Sequence, residues 1–501
     1  MKAIISVSNK KGIVSFARNL QKLNVSLYST GGTLKHLQSH GIDASPISTL
    51  TNYDEILDGR VKTIHPIIFG GILAKKNNPQ HLAELKNNEI PLIDIVVINL
   101  YPFEKTISKK THSMDEAIEN IDVGGPSLLR AAAKNFLHVL PICDPVDYDS
   151  IASHLATGQV SSRIRQRLAS KAFYLLSKYD SKIASYFSEK EAVPENISIS
   201  LSKINDLQYG ENPGTKGGLY SFESLGGISN ATKLSGPEMS YNNFLDANAA
   251  WACVSSFSET AVSIIKHTNP CGMALHPNPL KAFLDALSGD PVSSFGGIVA
   301  INSPVTISMA KEIVKHFFTV LISTKYDSDA IEILKKKKSL RVLKSNLFKS
   351  NDFDFRTIQG GVLVSSKDLS FQPNKWETVT NKAPSSSLLE SLKFAWTVCK
   401  QVKSNAIVLA NNKKLVGMGA GQPNRLASIR LAIETAGKNT RGSVLASDAF
   451  FPFEDNILAC KEAGIGAIVQ PGGSVRDKEC INAANKFGIP MVFTHQRAFL
   501  H

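Results

Sequence analysis

The chain has 501 residues, carries a formal net charge of +13, and is 43% hydrophobic and 20% charged. That length exceeds what a single hydrophobic core organises and predicts about two to four domains. No apolar run approaches the ~18 residues of a membrane span, and Met1–Ser8 reads as a first strand rather than a signal peptide. A cytoplasmic protein without membrane partners is therefore expected. The six cysteines (Cys143, Cys253, Cys271, Cys399, Cys460, Cys480) are scattered with no CxxC pair, as in reduced cytosolic chains. The positive balance suits either nucleic acid or anionic, phosphorylated metabolites. Lys335–Lys338 is the only dense basic run and reads as a solvated helix end. Without zinc-finger spacing or an RNP motif, nucleic acid is not expected as a partner.

From the N-terminus to about residue 190, strand and helix signals alternate. Ala3–Val7 reads as a strand. Gly12–Leu23 places Ile13, Phe16, Ala17, Leu20 and Leu23 at helical spacing. Ser26–Ser29 is a short strand running into Thr30-Gly31-Gly32-Thr33, with a helix after it. Asp94–Asn99 is the continuous apolar run of a buried parallel strand. This alternation predicts a doubly wound α/β domain. Ser8, Lys10 and Ser29–Thr33 fall at strand-to-helix junctions, where free backbone N–H groups cradle phosphate. A helical region covers Ser161–Phe187, and Glu189–Asp206 reads as a linker.

The remainder carries a weak internal repeat. Ala250-Trp251-Ala252-Cys253-Val254 recurs as Ala395-Trp396-Thr397-Val398-Cys399, and each precedes an apolar strand. Asp290–Gly297 is paired with Ala446–Phe451. Two similar α/β lobes in tandem are expected, with a site between them. After the first apolar strand, Ala261–Ile265, comes Lys266-His267-Thr268-Asn269-Pro270-Cys271-Gly272. A cation and a titratable imidazole thus stand at a sheet rim, where α/β proteins bind ligands.

Many ordered blocks together resemble one family, the bifunctional purine-biosynthesis enzymes that join AICAR formyltransferase to IMP cyclohydrolase. They include Ser6–Lys10, Ser29–Thr33, Gly59–Pro66, Asn99–Phe103, Ile121–Pro126, Arg130–Asn135, Ser240–Asn243, Lys266–Gly272, Ser447–Phe453 and Gln470–Asp477. The resemblance implies an N-terminal methylglyoxal-synthase-like doubly wound domain followed by two tandem cytidine-deaminase-like α/β lobes. The expected bounds are 1–190 for the cyclohydrolase domain, 200–360 for the first formyltransferase lobe and 361–501 for the second. It also implies a homodimer with formyltransferase sites at the interface, the substrates AICAR and FAICAR, and 10-formyltetrahydrofolate as cosubstrate.

By the same resemblance, Lys62, Tyr101, Asp122 and Lys134 are catalytic in ring closure, with Ser8, Lys10, Ser29, Thr30, Gly31, Gly32, Thr33, Arg60 and Thr63 binding substrate. Taken alone, Asp122 also fits a helix N-cap and Tyr101 fits core packing. For formyl transfer, His267 is the base, Lys266 its electrostatic and proton-donating partner, and Asn405 the ligand of the formyl oxygen. Tyr209, Asn242, Phe295, Gly296, Asp448, Phe450 and Arg497 are expected around those substrates, with Phe295–Gly297 and Phe450–Pro452 flanking them with apolar surface and backbone amides. No metal is expected: a zinc deaminase needs PCxxC and HxE elements, and the second cysteine position after Pro270-Cys271 is Ala274. Gln208, Gly214 and Thr215 stand where the family has Arg, His and Gln, and the C-terminal basic residues are reduced to Arg497. These departures leave open a cyclohydrolase whose formyltransferase half is impaired or altered.

Overall fold

The structure, a computed structural model, describes residues 1–109, 111–188, 193–222, 226–346, 353–366 and 375–501. The chain separates into two compact units, Met1–Ser200 and Leu201–His501. Of the expected linker, residues 189–192 lie outside the described residues, and Ser202–Leu207 is a strand rather than linker. Among the described residues no helix is long and apolar enough to cross a membrane.

The first unit is built on β1 (Lys2–Val7), β2 (Ser26–Ser29), β3 (Ser45–Pro46), β4 (Ile95–Asn99) and β5 (Leu140–Ile142). They form a five-stranded sheet in the order β3-β2-β1-β4-β5, parallel throughout. The apolar run of β4 has its cause in the layers: Ile95, Val96, Val97 and Ile98 are all 0% exposed, because helices cover both faces. Ile13, Phe16 and Leu20 pack on one face, and Leu128, Leu129, Ala132 and Leu176 on the other. The strand order reverses between β1 and β4. Their carboxyl ends therefore open a crevice, the place where such sheets bind ligands.

The second unit holds a twelve-stranded sheet and two hairpins. The first hairpin pairs β6 (Ser202–Leu207) with β7 (Gly217–Ser221). Six sheet strands follow: β8 (Thr232–Ser235), β9 (Ala261–Lys266), β10 (Asn269–Leu275), β11 (Ile298–Ile301), β12 (Val320–Ser323) and β13 (Arg341–Lys344). The second hairpin is β14 (Phe353–Ile358) with β15 (Gly361–Ser366). The last six are β16 (Glu377–Thr378), β17 (Ile407–Asn411), β18 (Lys414–Gly419), β19 (Val444–Ser447), β20 (Ala467–Gln470) and β21 (Met491–Phe493).

The sheet order makes the duplication visible: β8-β13-β12-β11-β9-β10 matches β16-β21-β20-β19-β17-β18, and the halves join where β10 meets β18 antiparallel with Ala274 opposite Lys414. The helices Tyr241–Ser255 and Ser386–Cys399 occupy equivalent places and carry the repeated Trp251 and Trp396 into one shared core. On the opposite face each half has its own core. Close backbone approach is repeated as well. A Cβ on Gly272 would stand 2.2 Å from the Ala286 carbonyl oxygen, and one on Gly417 would stand 2.2 Å from that of Ala432. The pairing of Asp290–Gly297 with Ala446–Phe451 is not structural: the first block precedes β11 and the second runs off the end of β19. The expected division at 360/361 falls in the turn of the β14–β15 hairpin.

Two candidate active sites

In the first unit a cleft of about 680 Å³ opens at the carboxyl ends of β1 and β4. Ser8, Lys10, Thr30–Thr33, Arg60, Lys62, Thr63, Tyr101 and Asp122 all line it. Thr30 is the N-cap of the helix Gly31–Ser39 but makes no side-chain cap hydrogen bond, so the helix's first N–H groups face the cleft available to an anion. Asn99, which sequence reasoning passed over as the end of a strand, ties the two strand ends together. Its Oδ1 accepts from the backbone N–H of Ser8 (2.5 Å) and Asn9 (2.9 Å).

Lys10 donates to Thr33 Oγ1 at 2.7 Å and to the Val7 carbonyl, and burial pulls its ammonium below the ordinary lysine pKa. Lys62 enters from the loop before the helix Pro66–Leu73 and meets Glu55 Oε2 at 3.0 Å. Arg60, from the same loop, pairs with Glu119. Tyr101 is 53% exposed, which removes the core-packing alternative. Asp122 does accept from the Gly125 N–H at 2.9 Å, as an N-cap would, and its own N–H donates to Tyr179 Oη at 2.8 Å. Burial raises its carboxyl pKa against the opposing pull of the Gly125 and Tyr101 amides. A carboxyl so raised is better suited to hold and pass a proton near neutral pH.

Two expected members do not belong to this cleft. Ser29 is fully buried, and its hydroxyl donates to the Ile5 carbonyl at 2.6 Å, tying β2 to β1. Lys134 is the last residue of the helix Gly124–Lys134, ~15 Å along the axis from the glycines that line the cleft; it is exposed and is not among the cleft's lining residues.

In the second unit, strand directions bring the other expected residues to one sheet edge. The end of β9, the starts of β10, β11 and β17, and the ends of β18 and β19 all lie there. The Lys403 N–H donates across the junction of the halves to Asn269 Oδ1 at 3.3 Å. Lys266 Nζ donates to the Phe295 carbonyl at 2.9 Å. His267 is exposed and sits in a turn where it and Thr268 have φ of 49° and 61°. Asp246 Oδ1 holds that turn by accepting the Thr268 N–H at 2.7 Å.

The amide of Asn405 is fixed from both ends. Its Nδ2 donates to the Gln422 carbonyl at 2.8 Å, and its Oδ1 accepts from Arg425 at 2.6 Å. Arg425 is buried and pairs with Asp448 Oδ1 at 2.5 Å and Ser447 Oγ at 2.8 Å. Neither Arg425 nor Asp246 was singled out from sequence. Each sits inside a helix, and only the fold shows what it faces. Asp448, expected in contact with folate, is 0% exposed, and its second oxygen accepts from Ser404 Oγ at 2.6 Å. Its carboxylate therefore supports Arg425 and Ser404 and does not reach a ligand.

Phe295 is 66% exposed and Phe450 39%, whereas Phe451 is core and forms no flank. The N–H groups of Gly296 and Gly297 are occupied by the Phe317 and Ser294 carbonyls, at 2.7 and 3.0 Å, and are not free for a ligand. Arg497 stacks on Phe499 at 4.5 Å beside Ala498, whose N–H donates to the Asp448 carbonyl at 2.8 Å. Tyr209 stands half-buried at the β6–β7 turn, which Asn242 joins to the helix Tyr241–Ser255 by donating to the Glu211 carbonyl at 3.1 Å. In that turn Gly214 has φ of 93°, a conformation that strains an L side chain. Thr215 Oγ1 donates to the Asn212 carbonyl at 2.7 Å, so the departing residues build a self-closed turn. The Cys271 thiol donates to the Ile264 carbonyl at 3.3 Å, and burial pushes its pKa up to about 11. Among the described residues no group of three or more His, Cys, Asp or Glu converges as a metal site would.

An anion-cradling cleft on a doubly wound sheet, with a second polar edge on a duplicated sheet, defines a two-site α/β enzyme. Residues 132–435 match the family described as AICARFT/IMPCHase bienzyme, and residues 12–127 match the MGS-like domain. Proteins called bifunctional purine biosynthesis protein PurH are similar over 100% of this chain and 99% of their own length. Those of Thermoanaerobacter sp. (strain X514) and Persephonella marina are 46% and 47% identical. That of Halalkalibacterium halodurans is 46% identical over the same shares. A solved structure titled "Crystal structure of ForH" is 37% identical over 37% of this chain and 98% of its own, with a TM-score of 0.34. The chain belongs to the AICARFT/IMPCHase bienzyme family.

Proposed function

We infer that the chain catalyses two consecutive reactions of purine biosynthesis, formyl transfer to AICAR and ring closure of the product, FAICAR, to IMP. The observation that carries this reading is similarity along the whole chain to two-activity relatives, in a protein with a candidate site in each unit. No observation favours a cyclohydrolase acting alone. Lys266, His267 and Asn405 are retained, and the departures at Gly214 and Thr215 close a turn without removing them.

In the second unit the AICAR amine attacks the formyl carbon of 10-formyltetrahydrofolate. A carbon–nitrogen bond forms, and the bond from the formyl carbon to the folate nitrogen breaks. The folate supplies the one-carbon group, and exposed Phe295 and Phe450 suit its flat rings. His267 takes the amine proton. Lys266 offers positive charge and a proton for the departing folate nitrogen, and the Asn405 amide steadies the oxyanion. In the first unit the helix Gly31–Ser39 and Ser8 hold the 5′-phosphate. Lys62 stabilises the charge that develops on the formyl oxygen as the carboxamide nitrogen closes on the formyl carbon, and Tyr101 and Asp122 relay the protons needed for water to leave. The lobes of the second unit are read as cytidine-deaminase-like, the protein as cytoplasmic, and the assembly as a homodimer with formyltransferase sites at the interface.

The test is purified protein with AICAR and 10-formyltetrahydrofolate, following tetrahydrofolate release and IMP together. Both products are expected. Tetrahydrofolate without IMP, or IMP only from supplied FAICAR, contradicts the two-activity reading.

A further inference from the structure

The Lys62 side chain does not lie free in the cleft. It runs between two glycines. A Cβ on Gly59 would stand 2.4 Å from its Cε and 2.7 Å from its Nζ, and one on Gly31 would stand 3.5 Å from Nζ. Both glycines have positive φ, 82° and 44°, and the backbone leaves a slot whose Gly59 wall is open to Lys62 only because it carries no side chain, while a Cβ on Gly31 would merely touch the ammonium. At the end of the slot the ammonium meets Glu55 Oε2 at 3.0 Å. Lys62 is 28% exposed along its side chain, and Glu55 is 58% exposed. The loop between them is closed by a bridge pairing Ile56 with Val61, which brings Glu55 back over Lys62.

An exposed pair of this kind adds little to stability. What it does supply is direction. A lysine has a flexible stem and a point charge that can settle in many places, and a carboxylate at the mouth of a narrow slot selects one of them. The selected place is beside Gly31, at the start of the helix whose first turn lines the cleft.

We propose that Glu55 is a positioning residue for ring closure, holding the Lys62 ammonium in the Gly31–Gly59 slot so that it stands where the oxygen gains charge. This rests on the reading of Lys62 as catalytic. Because Glu55 touches Lys62 and does not itself line the cleft, its loss appears in the chemical step more than in binding. A misplacement of about 1 Å in a catalytic group lowers rates by up to ~100-fold.

The experiment compares Glu55→Ala, Glu55→Gln, Gly59→Ala and Lys62→Ala in the full chain, measuring kcat and KM for FAICAR cyclisation, the rate of formyl transfer and the unfolding midpoint. Glu55→Ala is expected to lower the cyclisation kcat by about 10- to 100-fold with KM changed less than about threefold. Formyl transfer and the unfolding midpoint should stay at parent values. Glu55→Gln keeps an acceptor oxygen and should fall between Glu55→Ala and the parent. Gly59→Ala fills the slot from the other side and should reproduce the kcat loss with Glu55 in place. A Glu55→Ala enzyme within twofold of the parent kcat, or one whose only change is in KM, overturns the proposal while Lys62→Ala is inactive. An active Lys62→Ala overturns instead the reading on which it rests, so the two failures are told apart.

Discussion

At the residue scale the two sites lean on different chemistry. On the proposed mechanism Lys62 acts only as charge develops on the reacting oxygen, so Lys62→Ala should reduce FAICAR cyclisation by about 10²–10³-fold, the range for removing one such stabilising donor. Formyl transfer, measured separately, should be unchanged; an unchanged cyclisation rate would remove Lys62 from the mechanism. Asp122 gives a pH signature. Burial raises its pKa in the folded chain, so the folded state holds a proton that the unfolded state has released. Stability therefore falls as pH rises through the window from the ordinary Asp value of about 3.9 up to the raised one. Asp122→Asn, whose Oδ1 still accepts from Gly125, should abolish that decline when urea midpoints are compared across the window. Arg425 and Asp448 form a pair whose side chains are 6% and 0% exposed. Arg425→Met should destabilise the second unit by about 3–5 kcal/mol by stranding a buried carboxylate, and should release the Oδ1 end of the Asn405 amide. Denaturant unfolding and the formyl-transfer rate measure the two effects.

At the scale of elements, sequence pattern and structure agree where burial enforces the pattern. The run Ile95–Ile98 reads as a parallel strand because helices close both faces of β4, and the heptad-like spacing from Ile13 to Leu20 reads as a helix because that face is buried in a core shared with β1 and β2. The repeated Trp251 and Trp396 point to a duplication that the strand order of the large sheet makes explicit. What the sequence leaves hidden is orientation. Ser29 and Lys134 lie in motifs shared with the family, yet one faces the sheet interior and the other the far end of its helix. Nor can spacing reveal that Arg425 reaches Asn405 or that Glu55 returns to Lys62, because both contacts depend on loops closing in space. The close contact of β18 with the helix Arg425–Ala436 shows how tightly the edge site is built. A Cβ on Gly419 would stand 2.0 Å from the Ser428 carbonyl oxygen. Gly419→Ala should therefore cost about 1–3 kcal/mol in overpacking and lower formyl transfer, with cyclisation retained. Thermal unfolding followed together with both activities checks this.

At the scale of the whole chain, the two units carry separate cores and separate candidate sites. Loss at one site should spare the other, which sharpens the test of the departures at Gln208, Gly214 and Thr215: they bear on formyl transfer alone. The most direct measurement is made on His267→Ala, assayed for FAICAR formation from AICAR and 10-formyltetrahydrofolate and for IMP formation from FAICAR. The account predicts that the first rate falls by about 10²–10⁴-fold, the range of a lost general base, while the second stays at the parent value. Formyl transfer at the parent rate, or equal loss of both reactions, would contradict it.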